Sequence, residues 1–283
     1  EMSVRPAKEK TLPGFETVQG AAADAALDER LRFERLVSYL SARFVNIDPE
    51  RLDAEIERAL KTILGFFQVD RCGLLRTVPS KGAWIITHGA YSDQTSPVPI
   101  GVQLPASINP WAYERLVYKR EPVVFSRIDD VPSEAHVDKK TWNEWGIRSN
   151  LVIPIFTSDS VTHLIAINSV KCECVWPEEF IPRLQLLGEI FVNSIERKNM
   201  HQRLELALKF QEMIAVLSAK FVNLPSDRVD VEIENGLQHI ARFLDLDRCV
   251  MALHSDDKSQ TITSHSWVAN GVESVTAVIG NEM

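Results

Sequence analysis

The sequence predicts an α+β fold, in which an antiparallel sheet carries helices on its faces and is followed by a truncated second copy of the same unit. Three observations lead to this prediction. A segment near the N-terminus recurs much later in the chain. Apolar residues switch between helical and strand-like spacing. The strands cluster apart from the helices instead of alternating with them as crossover units would require.

The repeat is clearest in one heptapeptide, because Leu40–Asn46 (LSARFVN) recurs as Leu217–Asn223 (LSAKFVN), an offset of 177 residues. At the same offset Asp70-Arg71-Cys72 becomes Asp247-Arg248-Cys249, and His88 becomes His265. No gap is needed between these matches. A period of this length indicates a repeated domain, not a short solenoid unit.

The repeat sets the expected domain boundaries. Residues 1–26 contain prolines and glycines without an apolar period, so we predict a linker or disordered segment there. Residues 27–200 are expected to form a complete domain. Residues 206–283 match only the opening of that domain, so we predict the N-terminal half of a second copy.

Apolar spacing assigns the elements of the complete domain. Phe33, Val37, Leu40 and Phe44 share one helical face, and a second helix follows Pro49. The later segments fall into three groups. Strands are predicted over 72–77, 84–88, 122–125, 148–156 and 161–170, with the last two joined as a hairpin. Helices are predicted over 108–119 and 134–145, and over 177–223 as one helix or two nearly continuous ones.

Composition excludes several classes of protein. The net charge is −8 and the sequence has no basic stripe, so we expect no nucleic-acid partner. No apolar run reaches the roughly 18 residues needed to cross a bilayer, so we expect no membrane insertion. The four cysteines do not form a disulfide framework and the N-terminus is polar, which predicts a cytoplasmic location.

Three segments carry a family resemblance. Two helices lead into Asp70-Arg71-Cys72, Trp145–Ile155 reads WGIRSNLVIPI, and Trp176-Pro177 opens the last helix. This order resembles the GAF domain family, and Pro110-Trp111 and Arg127–Pro132 resemble GAF units of bacterial multidomain sensor histidine kinases. The resemblance implies a non-catalytic signal-input region of a two-component protein. It also implies a homodimer formed through the terminal helices and a covalently attached C-terminal output domain.

A small-molecule pocket is predicted on the sheet. Trp84, Ile86 and His88 are expected to alternate onto one strand face. The resemblance places covering aromatics on the connecting segments and polar anchors nearby, and these are Tyr91, Trp111, Tyr113, Trp142, Trp145, Arg127, Arg148 and Asn150. The aromatics could equally fill the core, and His88 could be a structural histidine. The sequence identifies neither ligand nor cofactor.

Catalysis is not expected. The sequence lacks a phosphoacceptor histidine box, a phosphate-binding loop and a zinc motif, so no catalytic or metal-ligating residue is assigned. Two alternatives stay open. One is a ligandless dimerisation or interaction module. The other is a GAF enzyme that reduces free methionine sulfoxide through Cys172 and Cys174, with Cys72 as a third thiol.

Overall fold

The computed structural model describes residues 15–157, 159–255, 260–272 and 278–280. The chain divides between Lys198 and Asn199 into two compact units. The first unit contains a six-stranded antiparallel sheet, which confirms the predicted α+β class. None of the helices in the described part of the chain combines the length and the hydropathy needed to span a bilayer.

The first two helices form by apolar spacing and local capping. Helix α1 covers Phe15–Phe44 and helix α2 covers Leu52–Phe67. Before α2, the side chain of Asp48 accepts a hydrogen bond from the Glu50 amide (3.0 Å). The helix begins at Phe15, earlier than the helical pattern that the sequence shows from Leu27. The alanine-rich run 21–26 explains the difference, because alanine favours helix without contributing a strong apolar stripe. Residues 1–14 lie outside the described residues.

The sheet of the first unit has the strand order β3-β2-β1-β6-β5-β4. Its strands are β1 (Arg71–Val78), β2 (Ala83–Tyr91), β3 (Gln103–Pro105), β4 (Val123–Phe125), β5 (Ser149–Thr157) and β6 (Ser160–Ser169). The predicted hairpin between β5 and β6 is confirmed by their antiparallel pairing. Strand β3 was not predicted, since three residues ending in proline carry no strand pattern.

The two faces of this sheet bury separate cores. On one face lie α1, α2 and α5 (Ile181–Phe221), which pack the phenylalanine-rich cluster of Phe33, Phe44, Phe180 and Phe191. On the other face lie α3 (Pro110–Tyr113), a π-helical turn over Glu114–Lys119, and α4 (His136–Glu144). Gly188 lets α5 approach the sheet closely, because a Cβ there would collide with Ile155 and Ile165.

The second unit contains the end of α5, α6 (Val229–Phe243) and three strands in the order β7-β8-β9. The strands are β7 (Arg248–His254), β8 (Gln260–Val268) and β9 (Val278–Gly280). Several contacts of the first unit recur here at the 177-residue offset. The ring contact of Phe33 with Phe66 recurs between Phe210 and Phe243. The ion pair of Arg43 with Glu55 recurs between Lys220 and Glu232. The contact of His88 with Asp53 recurs between His265 and Asp230.

Candidate functional site

A β-bulge in β2 decides which side chains face the site. Leu74 pairs with His88, but Leu75 pairs with Ile86, so Thr87 is an extra residue in the strand. Such a bulge reverses the alternation of side chains beyond it. The prediction that Trp84, Ile86 and His88 share one face is therefore wrong for His88. Trp84 and Ile86 face α3 and α4, whereas His88 faces α2.

A cavity of about 510 Å³ lies on the Trp84 face of the sheet. Its lining is mainly apolar and aromatic, with the sheet as its floor and the segment 96–104 along one side. This volume lies within the ~300–1,000 Å³ that ligand pockets span. Six of the predicted pocket residues line this cavity, namely Trp84, Ile86, Tyr91, Trp142, Trp145 and Asn150.

The remaining predicted pocket residues do not line the cavity. Trp111 packs edge-on against Trp142, with ring centroids 6.4 Å apart, and Tyr113 packs against Trp84 at 5.1 Å. Arg127 pairs with Glu173 at the surface (3.7 Å), and Arg148 is exposed. The two arginines follow β4 and precede β5, where the chain runs at the surface, so neither reaches the cavity.

Four polar residues that were not predicted also line the cavity: Arg71, Ser96, Asn109 and Asn168. Among the described lining residues, Arg71 carries the only charge. The Asn168 side-chain amide donates to the Asn150 side-chain oxygen, so these two groups satisfy each other within the sheet. Arg71 stands in the repeated Asp-Arg-Cys motif, which was a usable signal. Asn109 precedes Pro110-Trp111 and gave no separate signal.

Three buried polar atoms around this cavity have no hydrogen-bond partner in the part of the chain that the structure describes. They are Arg71 Nε, Trp84 Nε1 and Asn109 Oδ1. Trp84 and Asn109 are each only 4% exposed. An unsatisfied buried donor or acceptor costs about 1–3 kcal/mol, so such groups are rare unless something else satisfies them. All three residues line the same cavity, which makes it the candidate ligand site.

Comparison with known proteins places this site in a family. The GAF domain model matches residues 51–195, which include β1 to β6 and the whole lining of the cavity. The chain belongs to the GAF domain family. Comparison with curated protein sequences gives no match.

Solved structures share the GAF fold at low sequence identity. The phycoerythrobilin-bound GAF domain of a cyanobacterial phytochrome has a TM-score of 0.50 and 16% identity, covering 61% of this chain and 99% of its own. The photosensory core module of a Stigmatella aurantiaca phytochrome reaches 0.62 with 14% identity, covering 82% and 48% respectively. A bacteriophytochrome from R. palustris reaches 0.63 with 11% identity, covering 84% and 51%. The chain thus spans about half the length of these two phytochrome structures.

The cysteines of the GAF domain are arranged poorly for catalysis in the cavity. Cys172 and Cys174 follow β6, with their sulfurs 4.0 Å apart, and neither lines the cavity. Cys72 is among the residues around the cavity, but its side chain packs in the core on the opposite face of the sheet. Burial also raises the pKa of this thiol far above its usual range, which keeps it protonated and weakly nucleophilic. Within the described residues, no group of acidic, histidine or cysteine side chains is placed to hold a metal ion.

Asp138 links the two helices, α3 and α4, that lie over the cavity of the GAF unit. It is fully buried on α4, and its two carboxylate oxygens accept the backbone N–H groups of Trp111 (3.1 Å) and Ala112 (2.8 Å) at the start of α3. Burial raises the pKa of Asp138, and the two backbone hydrogen bonds oppose that shift. The carboxylate therefore joins the two helices that lie over the sheet.

On the opposite face of the sheet lie two buried histidines, His88 and His163, whose pKa values are lowered. His163 on β6 is 6% exposed, and burial lowers its pKa from 6.5 to about 4, aided by the charges of Arg76 and His88. Burial also lowers the pKa of His88, although Asp53 and Glu57 oppose that shift. Both imidazoles are therefore held neutral at a pH where the unfolded chain would bind protons.

Stability should fall as the pH drops from 6.5 to 4, because the unfolded state gains protons first. For His163 alone the expected slope is about 1.4 kcal/mol per pH unit. Urea unfolding followed by tryptophan fluorescence between pH 8 and pH ~4.5 measures this slope. The variant His163→Gln should flatten it, whereas His201→Gln, at an exposed position on α5, should not. An equal slope in wild type and His163→Gln would contradict the assignment.

Proposed function

We propose that the first unit is a sensory domain that binds a small molecule in the cavity and passes the signal to helix α5. The observation that carries this proposal is a set of three buried polar atoms with no partner among the described residues, Arg71 Nε, Trp84 Nε1 and Asn109 Oδ1, all from residues around one apolar cavity. A ligand with matching polar groups would satisfy them and bury its apolar body against the aromatic lining.

The opposite face of the sheet supplies a route for the signal. Strand β2 presents Ile86 to the cavity and, across the bulge at Thr87, His88 to α2. His88 Nε2 lies 3.4 Å from Asp53 Oδ1, and Lys198 Nζ on α5 lies 2.6 Å from Asp53 Oδ2. A shift of β2 on ligand binding would therefore reach α5 through Asp53. A ligand shifts a protein between two conformations when it binds one of them more tightly than the other.

The last residues of α5 in the first unit also contact α1. The Arg197 guanidinium donates to the backbone carbonyls of Phe44 (2.9 Å) and Val45 (3.2 Å). Helices α1 and α5 are thus joined at the point where α1 ends. A displacement of α5 would be passed to α1 as well, so both terminal helices of the unit would respond.

The wider context belongs to the same proposal. The chain is the cytoplasmic input region of a larger bacterial signalling protein, a sensor histidine kinase with an output domain following in sequence. The contacts that recur at the 177-residue offset support the proposal that the second unit is a truncated GAF copy. Leu27 and Leu31 are exposed apolar residues on α1, and they favour a homodimer formed through the terminal helices. The same homodimer would form if the unit were a dimerisation module without a ligand.

A fragment library screened by thermal shift tests the binding proposal. At a ligand concentration one hundred times Kd, binding to the folded state adds about 2.7 kcal/mol of stability. Ala166 lies on β6 between Gly73 and Val152 and lines the cavity. We expect hits on the wild type and none on Ala166→Phe, because the added ring fills the cavity.

The matched control is Val124→Phe, which adds the same ring at a partly exposed position of β4 outside the cavity. This variant should keep every hit. Unliganded melting curves of all three proteins show whether the GAF unit is folded, since overpacking costs typically about 1–3 kcal/mol. Hits that persist in Ala166→Phe would exclude the cavity as the binding site. An absence of hits would favour the ligandless dimerisation module.

A further inference from the structure

We propose that the cavity takes an aromatic carboxylate, with the acid group on Arg71 and the rings against the aromatic lining. This inference rests on the proposed ligand-binding function and narrows it to one chemical class. Arg71 is the first residue of β1 and the only charged side chain among the described lining residues. The ligand class follows from what surrounds this guanidinium.

The Arg71 guanidinium is held in place but is incompletely paired. Its Nη1 donates to the Trp145 backbone carbonyl (3.2 Å), while its buried Nε has no partner among the described residues. None of the described residues that line the cavity with it is a carboxylate. A partly buried cation without a counterion is costly, so an anion has more to gain at this position than a neutral molecule.

The charge count favours a carboxylate over a phosphate. A guanidinium presents a planar fork of donors that matches the two oxygens of a carboxylate. The described lining offers no second cation. A phosphate monoester would bring a charge of about −1.5 to −2 at neutral pH into a cavity with one compensating charge.

The lining favours a planar aromatic body. Trp84, Tyr91, Trp142 and Trp145 all face the cavity, and the floor between them is aliphatic, with Leu75 and Ile86 among its residues. Aromatic rings gain offset or edge-to-face contacts with such walls beyond the effect of area alone. A flexible alkyl chain would lose more conformational freedom on binding and gain none of these contacts.

The polar groups lie at two ends of the cavity. Trp84 pairs with Thr77, six residues along β1 from Arg71, a separation of roughly 20 Å at about 3.3 Å per residue. Among the described residues, neither the donor Trp84 Nε1 at the far end nor the acceptor Asn109 Oδ1 on the segment before α3 has a hydrogen-bond partner. A two-ring acid held by Arg71 is too short to reach from one end to the other, so these atoms do not decide the ligand class. The class rests on the charge of Arg71 and on the aromatic lining, and the preferred ligand is an aryl carboxylate.

Calorimetric titration of the full chain with matched probes tests this inference. The probes are 6-hydroxy-2-naphthoate, the neutral 6-hydroxy-2-naphthamide and decanoate. We expect the naphthoate to bind roughly tenfold or more tighter than the naphthamide, as a charge-assisted hydrogen bond implies. Arg71→Gln should remove this preference and keep the naphthamide affinity. Arg76→Gln makes the same change at an exposed position of β1 outside the cavity and should keep the preference.

Each contrary result has a defined meaning. Equal affinity for acid and amide, or a preference that survives in Arg71→Gln, would overturn the anion assignment and leave ligand binding intact. Decanoate binding as tightly as the naphthoate would overturn the aromatic assignment. Binding of neither naphthalene probe, alongside library hits abolished by Ala166→Phe, would overturn the inference alone. If Arg71→Gln fails to fold, Arg71→Lys replaces it, and an undiminished preference for the acid in that variant would overturn the role of the guanidinium fork.

Discussion

Replacing Phe33 with alanine is expected to destabilise the first unit by about 3–5 kcal/mol. Phe33 is 1% exposed on α1, stacks on Phe180 with centroids 4.2 Å apart, and also contacts Phe66 and Phe67. Removing the ring leaves a cavity among three other rings, two on α2 and one, Phe180, in the turn before α5. Urea unfolding followed by tryptophan fluorescence measures the loss, since five of the six tryptophans lie in this unit.

The repeat offers a matched control at Phe210, which occupies the position of Phe33 in the second unit. Phe210 keeps one contact, with Phe243 at 5.8 Å, but is 44% exposed. Phe210→Ala should therefore change stability by about 1 kcal/mol or less. Equal losses for the two variants would mean that the aromatic cluster of the first unit is not the core that the structure describes.

Replacing Asp70 with alanine is expected to destabilise the first unit by roughly 3 kcal/mol. The Asp70 carboxylate is buried and accepts the backbone N–H groups of Val170 (2.9 Å) and Lys171 (3.0 Å), the Ser92 hydroxyl (3.1 Å) and an ion pair with the Lys171 ammonium (3.1 Å). Burial acts to raise the pKa of this carboxyl, but the hydrogen bonds outweigh burial and lower it. The variant would leave two backbone donors without their acceptor.

Asp247, the repeat equivalent of Asp70, is exposed, so Asp247→Ala should change the free energy of unfolding by no more than about 0.5 kcal/mol. The Asp70 contribution should also depend on pH. Because the folded-state pKa is depressed, its stabilisation is present above the unfolded pKa and is lost as the pH falls through the folded pKa. If the Asp70→Ala variant were as stable as the wild type, the hydrogen bonds from this carboxylate to the segment after β6 would not stabilise the fold.

The fold followed from the sequence where one period continued over many residues. The stripe Phe33, Val37, Leu40 and Phe44 is buried on α1 as predicted, and the antiparallel hairpin of β5 and β6 formed across the expected turn. The start of α1 was missed because the alanines before Leu27 promote helix without an apolar period. Strand β3 was missed because it is only three residues long and forms by pairing with β2.

The site was harder to predict, because one residue changed its lining. Alternation placed Trp84 and Ile86 correctly, but the bulge at Thr87 turned His88 to the other face. A bulge depends on how two strands meet, which a single strand sequence does not encode. Arg71 was overlooked because the Asp-Arg-Cys motif was used only as a mark of the repeat and of the family resemblance. Its role at the cavity follows only once Nε is seen to be buried with no partner among the described residues.

Hydrogen exchange of α5 tests the central claim, that occupation of the cavity is passed to this helix. The measurement compares residues 190–198 with and without the tightest-binding member of the fragment library, in the wild type and in Lys198→Met. Because Lys198 pairs with Asp53, which contacts His88 on β2, we expect the ligand to alter exchange of this segment in the wild type. In Lys198→Met the ligand should still bind, but this change should be reduced or lost. Saturated binding in the wild type with unaltered exchange across α5 would contradict the proposed sensory function.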